Sequence, residues 1–389
     1  MFHRDTYLKK LFLVLLTLGS VACATDQATR QPSVMLPQPN QDTTINQETI
    51  EKDHTLAEDS SQSDQPGNDT NKQSDQLGSD TNNQSDQPGS NTNNESSSIA
   101  QYSIGPIAHV TRTGELQNSS LTEVSGISTS LQTPGVLFAL NDSGNSAEIY
   151  AFSERGTHLG KWPIKASNRD WEDMASIWLD NQAYLIIGET GDNLKRHRRS
   201  AFYLVEEPIP GQTKETTLSP YKKLSFVYED GPRNVEAFSV DGNSIFLISK
   251  EPVTQSGPAA SQVYELEIPR IFDDKQLIAK KVASLPKAPT NFEAKLAAAM
   301  AGVDLNHITA LDFDSTGNTA YLLTYRHVIR INRQQNQSWA DAFTQRGERI
   351  YAHNLEQAEA LSVADNRAIW ITSEKRPAPL WAIPITPPL

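Results

Sequence analysis

Five segments between residues 120 and 376 share one plan, and that plan limits what the chain can fold into. Each begins at a polar or acidic residue, runs apolar, meets a turn and enters a second apolar run. They read "EVSGIS" then "GVLFALNDSG", "WEDMASIWLDNQ" then "AYLIIGETGDN", and "VEAFSVDGN" then "SIFLISKEP". Next come "ITALDFDSTGN" then "TAYLLTYRH", and "AEALSVADNR" then "AIWITSEKR". Asp-Asn, Asp-Gly-Asn and Ser-Thr-Gly-Asn between the paired runs are hairpin chemistry, because these residues tolerate the backbone angles a tight turn demands. A third strand follows each pair: "EIYAF", "AFYLVEEP", "QVYELEI", "HVIRI" and "PLWAIPI". A fourth is visible in "KKLSFVYED" and "AKKVASL".

Antiparallel units of four strands, repeating every ~40–50 residues, predict an all-β fold, a single β-propeller. The spacing predicts five blades, with leading positions Glu123, Glu172, Glu236, Thr309 and Glu359. Two longer gaps hold insertions, "PIPGQTKETTLSP" and "NFEAKLAAAMAG", the second reading as a short helix. A six-bladed ring is the alternative and would need a further blade between 236 and 309. The last blade lacks an outer strand. The stretch "GPIAHVTRTGEL" at 105–116 is expected to supply it, which would close the ring and leave no edge to aggregate.

The rest of the chain reads differently. Residues 1–24 have a basic start (Arg4, Lys9, Lys10), an apolar run from Leu11 to Leu18 and then small residues, the layout of an export signal. The only cysteine, Cys23, follows directly. A lone thiol in an exported protein has no partner within the chain, and lipidation gives it a use. "SVAC" resembles the bacterial lipobox, although Ser20 stands where leucine is preferred. Cleavage after Ala24, at Ala22-Cys23-Ala24, is the competing reading. Lipidation implies an outer-membrane lipoprotein, while simple cleavage implies a soluble periplasmic or secreted protein.

Residues 25–100 repeat "SDQPGNDTNKQ", "SDQLGSDTNNQ" and "SDQPGSNTNNE" and hold almost no large apolar side chains. With nothing to bury, such a segment is expected to be a disordered tether. Its reach would be roughly 45–50 Å. The expected domains are therefore a signal (1–24), a tether (25–100) and the propeller (101–389). Charge follows the same division. The chain carries −13; the tether has thirteen acids against three bases, and the propeller is left with only −5. No basic face for nucleic acid is expected. A monomer is.

A propeller brings the start of each innermost strand and the end of the second strand to one face. The expected mouth thus gathers Glu123, Glu172, Glu236 and Glu359, with Asp170 and Asp173 beside them and Asp142, Glu189 and Asp192 just outside. Converging carboxylates repel by about 1 kcal/mol per pair at 4 Å in water, and by more where it is dry. Three resolutions are open: a hard cation such as Ca²⁺, ion pairs with Lys250, Arg326 and Lys375, or carboxyls that stay protonated. "KRHRR" at 195–199 adds a cationic loop to the same face, and His307 and His327 are candidate general bases. Nucleophile elbows, zinc-protease helices and phosphate loops are missing from the sequence.

"EVSGIS", "NDSG", "DWEDMA", "GETGDN", "VEAFSV", "SKEP", "ITALDF" and "AEALSV" resemble a group of exported bacterial propellers, described as phytase-like, SdiA-regulated or gluconolactonase-type. The resemblance spans about 120–385. It implies a propeller with an acidic mouth where relatives use calcium to hydrolyse phosphate esters or lactones. Thr309 departs from the acidic pattern. Two functions follow as expectations. One is a calcium-dependent hydrolase with Asp142, Glu172, Glu236 and Glu359 on the metal, Glu172 and Asp173 in the chemistry, and Lys250 or Arg326 orienting a small anionic ester. The other is a non-catalytic platform gripping a ligand or an envelope protein.

Overall fold

The computed structural model of the protein describes residues 110–255, 257–270, 275–287, 292–364 and 367–385. The expected signal, Cys23 and the tether lie outside those residues.

Among the described residues the fold is a five-bladed, all-β propeller. The first blade runs Val124–Thr129, Val136–Asn141, Glu148–Ser153 and His158–Pro163 from axis to rim. The second runs Trp171–Leu179, Gln182–Glu189, Ser200–Glu206 and Lys222–Tyr228. The third is Val235–Asp241, Ser244–Ser249, Gln262–Glu267 and Leu277–Ser284, and the fourth Ile308–Phe313, Thr319–Thr324, His327–Asn332 and Glu348–Ala352. The fifth takes Ala358–Ala364, Ala368–Ser373 and Pro379–Pro384 from the end of the chain, and its outer strand is Thr111–Glu115. The expected closure is therefore present. No further four-stranded blade lies between 236 and 309 among the described residues. That gap holds a two-stranded hairpin, Val253–Thr254 with Gly257–Pro258, and a helix at Phe292–Ala301.

One pairing is not legible in the sequence. The rim strands of blades two and three run parallel and bond to each other, Leu277 opposite Phe226 and Ala279 opposite Tyr228, so these blades form one continuous sheet.

Why the strands read as unbroken apolar runs follows from the packing. Successive side chains on a strand point to opposite faces. In Val136–Asn141, Val136, Phe138 and Leu140 enter the core shared with blade two, while Leu137 and Ala139 enter the core shared with blade five. The described residues contain five such cores, one per interface between neighbouring blades. Burial of both faces removes the polar alternation that a half-exposed sheet would show. In blade two, Asp180 and Asn181 turn the chain at φ 49° and 64°, the positive pair a two-residue hairpin needs.

The axis is polar. Five equivalent positions on the inner strands carry Ser128, Ser176, Ser239, Asp312 and Ser362. Ser128 and Ser176 share a 2.7 Å hydrogen bond. Ser239 Oγ donates to Asp312 Oδ1 at 2.7 Å, and Ser362 Oγ and the Val363 N–H donate to Oδ2 at 3.1 and 2.8 Å. These bonds cross blade boundaries, so the girdle fixes the five inner strands against one another.

Candidate functional site

Every inner strand starts with a β-bulge after its first residue. Register slips between Val124 and Gly126, Trp171 and Met174, Val235 and Ala237, Ile308 and Ala310, and Ala358 and Ala360. A bulge re-aims a side chain that the pleat would otherwise send into a core. The bulged residues are Ser125, Glu172 with Asp173, Glu236, Thr309 and Glu359.

Glu123 is thus misplaced by two residues in the sequence reading. It is exposed, and its carboxylate accepts a 2.9 Å bond from Asn145 Nδ2 at the rim. The inner position of blade one is Ser125, whose Oγ donates to the Trp171 carbonyl of the next blade at 3.2 Å. Thr309 does the same one interface before the last, donating to the Ala358 carbonyl at 2.8 Å. Aligning on the pattern apolar-X-small (Val-Ser-Gly, Val-Glu-Ala, Ile-Thr-Ala, Ala-Glu-Ala) would have found this register, since the small residue lets neighbouring inner strands approach.

Three carboxylates come together: Asp142, Asp170 and Glu172 each present an oxygen, all within 4.8 Å of one another. Asn168 makes this possible. Its Nδ2 donates to the Asn141 and Asp142 carbonyls at 3.0 and 2.9 Å, and its Oδ1 accepts from the Trp171 N–H at 3.1 Å. It ties the end of strand two in blade one to the start of blade two. Glu172 is 3% exposed, and its Oε1 is buried without a hydrogen-bond partner. Burial, then the charges of Glu236, Asp142 and Asp170, push its carboxyl well above the ordinary range, with Lys250 opposing. A buried carboxylate oxygen left unpaired is costly. Oxygens bound to one Ca²⁺ at about 2.3–2.6 Å lie within about 5 Å of each other, so this trio fits a hard cation.

Beside it, Lys250 is held between acids. Its Nζ lies 2.9 Å from Glu236 Oε1 and donates to Tyr325 OH at 3.2 Å, and Tyr325 OH in turn donates to Glu359 Oε1 at 3.1 Å. Burial works against the charge on Lys250, but Glu236, Tyr325 and Glu359 outweigh it and hold its pKa well above the lysine value. Burial, then Glu374 and Glu236, raise Glu359 against Lys250. Asn234 braces Glu236 with a 3.0 Å bond to Oε1. The mouth therefore resolves its repulsion in two ways at once, by ion pairing around Lys250 and by the raised carboxyl of Glu172.

Other candidates are used elsewhere. Asp173 points to neighbouring inner strands and accepts from the N–H groups of Met174 at 2.8 Å and Phe238 at 3.2 Å, a bracing role. Glu189 binds Tyr203 OH and Arg169. Asp192 accepts from the N–H groups of Arg196 and His197 and so folds the "KRHRR" loop; Lys195 ties that loop to Glu251 at 3.0 Å. Lys375 is exposed and pairs with Glu356 at the surface. His327 starts the third strand of blade four, away from the axis, in the field of Arg349 and Arg326, and burial with those cations lowers it to about 4. Arg326 is half-buried in that same group. His307 does reach the mouth: its Nε2 lies 2.7 Å from the Glu251 carbonyl, and burial and Lys250 keep it neutral. These departures share one cause. Sequence position places a residue on a face, but hydrogen bonds from loops and adjacent blades decide which face-residents turn inward.

Fold and mouth together define a propeller with an acidic, partly ion-paired axial site. No protein-family model matches the sequence, and no curated protein does. Among solved structures, the chain is similar to the PQQ-bound aldose sugar dehydrogenase of Streptomyces coelicolor, with 11% identity over 71% of this chain and 98% of that one, at a TM-score of 0.38. It is also similar to a glucose dehydrogenase, with 8% identity over 72% and 100%, at 0.40. At such scores the assignment of the fold rests on the blades themselves.

Proposed function

We propose that the protein is a cell-envelope propeller whose mouth holds Ca²⁺ at Asp142, Asp170 and Glu172 and uses it to bind and hydrolyse a small anionic ester, phosphate or lactone. The observation that carries this reading is the unpartnered, buried Oε1 of Glu172 facing two further carboxylates. A bound cation would neutralise the trio and polarise an ester oxygen. Lys250, pinned by Glu236 and Tyr325, supplies fixed positive charge for the anionic group. His307, neutral and with its Nδ1 unpartnered, is the residue proposed to move a proton. Export and lipid attachment at Cys23, with the tether holding the propeller off the membrane, complete the proposal.

The non-catalytic reading also has an observation in its favour: Asp173, Lys375 and His327 do not gather around the trio. Two measurements separate the possibilities. A thermal melt in EDTA and in millimolar Ca²⁺ should show the melting temperature rising with calcium as RT ln(1 + [L]/Kd) requires. No shift would remove the metal. Turnover of a panel of phosphate esters and lactones, lost in Glu172→Gln, would establish hydrolysis; calcium binding without turnover would leave the binding platform.

A further inference from the structure

We infer that a second ligand site, separate from the mouth, lies between the Phe292–Ala301 helix, the paired strands Val253–Thr254 and Gly257–Pro258 and the face of blade four, and that it takes a small amphipathic anion with an apolar body and one anionic head. A cavity of about 640 Å³ occupies that place. Cavities of about 300–1,000 Å³ with mostly apolar walls are those that take small ligands.

The walls explain why the space stays open. Helices that exist to complete a core present large aliphatic side chains to the sheet beneath them. Here the helix turns Ala294 and Ala298, four residues apart and so on one face, toward the cavity. Opposite stand Leu322, Ile329 and Ile331 of blade four, of which Leu322 and Ile331 also belong to the buried core between blades three and four. Leu322 and Ile331 are closed over by that core, whereas Ile329 and Ala298 are only partly buried and keep apolar surface open to the gap, which another apolar body can cover.

Among the described residues lining this space, Lys287, Lys295 and Arg346 are the cations and Asp304 the acid; Arg346 has a partner of its own, so the two exposed lysines are the charges offered to an anion. Asp304 is occupied, accepting from the Asn306 N–H at 3.0 Å and from Asn306 Nδ2 at 3.2 Å. Lys287 and Lys295 are exposed at the rim. An apolar chain inside with a carboxylate or sulfonate at that rim satisfies both features; a cation or a polyol satisfies neither.

Decanoate and the uncharged decan-1-ol are suitable probes, titrated calorimetrically into the full-length protein in EDTA, so that the outcome is independent of calcium at the mouth. One-to-one saturable binding of decanoate, at least about fivefold tighter than decanol, is expected. Ala298→Trp, which fills the cavity, should weaken both probes by about tenfold or more. Lys287→Glu with Lys295→Glu, both at the surface, should weaken decanoate by about fivefold and leave decanol unchanged. If Ala298→Trp does not fold, the surface pair decides. No saturable binding to folded wild type, as when the chain's own residues or a protein partner fill the space, overturns the inference. So does binding that neither variant alters, or decanol binding as tightly as decanoate.

Discussion

Gly191 stands against Glu172 so closely that a Cβ at 191 would overlap Glu172 Oε1 and both the Cγ and Oδ2 of Asp170. Its N–H also donates to the Asp170 carbonyl at 3.2 Å. The absence of a side chain at 191 is thus a condition for the carboxylate trio. Gly191→Ala is expected to force Asp170 and Glu172 apart, destabilise the protein by about 1–3 kcal/mol and abolish the rise in melting temperature proposed for calcium. Calorimetric titration with Ca²⁺ on the folded variant checks it; undiminished affinity would show that the trio is not the binding site.

Glu172→Gln tests the same oxygen from the other side. Because burial and neighbouring acids raise the Glu172 carboxyl, its ionised form is a cost at neutral pH in metal-free protein. Stability from this group is full below its ordinary value near 4.5 and is lost as pH rises through its folded value. The variant should therefore melt higher than wild type in EDTA at pH 7–8, with the difference shrinking toward pH 4.5. A lower melting temperature across that range would refute the assignment.

Lys250→Met should be strongly destabilising. It leaves Glu236 buried without its ion pair and Tyr325 without its donor. Breaking a buried pair by removing one partner costs about 3–5 kcal/mol. Urea unfolding at pH 7 measures it, and the loss should be smaller in Lys250→Met with Glu236→Gln, where no unpaired charge remains.

His353 gives an acid-sensitive element. Burial lowers it to about 4, and its Nε2 sits 3.1 Å from the Thr324 carbonyl. A depressed histidine contributes stability that is full above its ordinary value near 6.5 and lost as pH falls toward 4. His353→Gln keeps a donor for Thr324 and does not titrate. Between pH 7 and 4.5 its urea midpoint should fall less than that of wild type, by an amount on the order of 2 kcal/mol in free energy. Equal pH slopes would place the acid sensitivity elsewhere.

Asp312→Ala should be the most damaging change along the axis. It removes the acceptor for two N–H groups, of Phe313 and Val363, and for the hydroxyls of Ser239 and Ser362. Each orphaned buried group costs about 1–3 kcal/mol, so a loss of at least about 3 kcal/mol is expected by urea unfolding. A loss under about 1 kcal/mol would mean the girdle does not hold the blades.

The amino-acid sequence alone determined the blades, because strand, turn and strand are local: apolar runs bounded by Asp-Asn or Asp-Gly-Asn turns cannot do much else. It also carried the ring closure, since an unpaired strand at 105–116 and a last blade of only three strands leave one economical pairing. The polar girdle is not legible in the sequence alone: its members stand four residues after each inner strand's start, with Ser176 one place later for the extra bulge residue, and only the bulged register fixes that count. What only the tertiary structure decided is which acids meet. Glu123 and Ser125 are two residues apart on the same side of a strand pattern, and a single bulge sends the serine inward and leaves the glutamate in solvent. Asp192 and Glu189 carry the same chemistry as Asp142, yet backbone N–H groups, Tyr203 and Arg169 claim them first. Periodicity is a property of neighbours in the chain, whereas convergence of charge depends on bonds between residues tens to hundreds of positions apart. The first is written in the sequence, and the second exists only once the ring has closed.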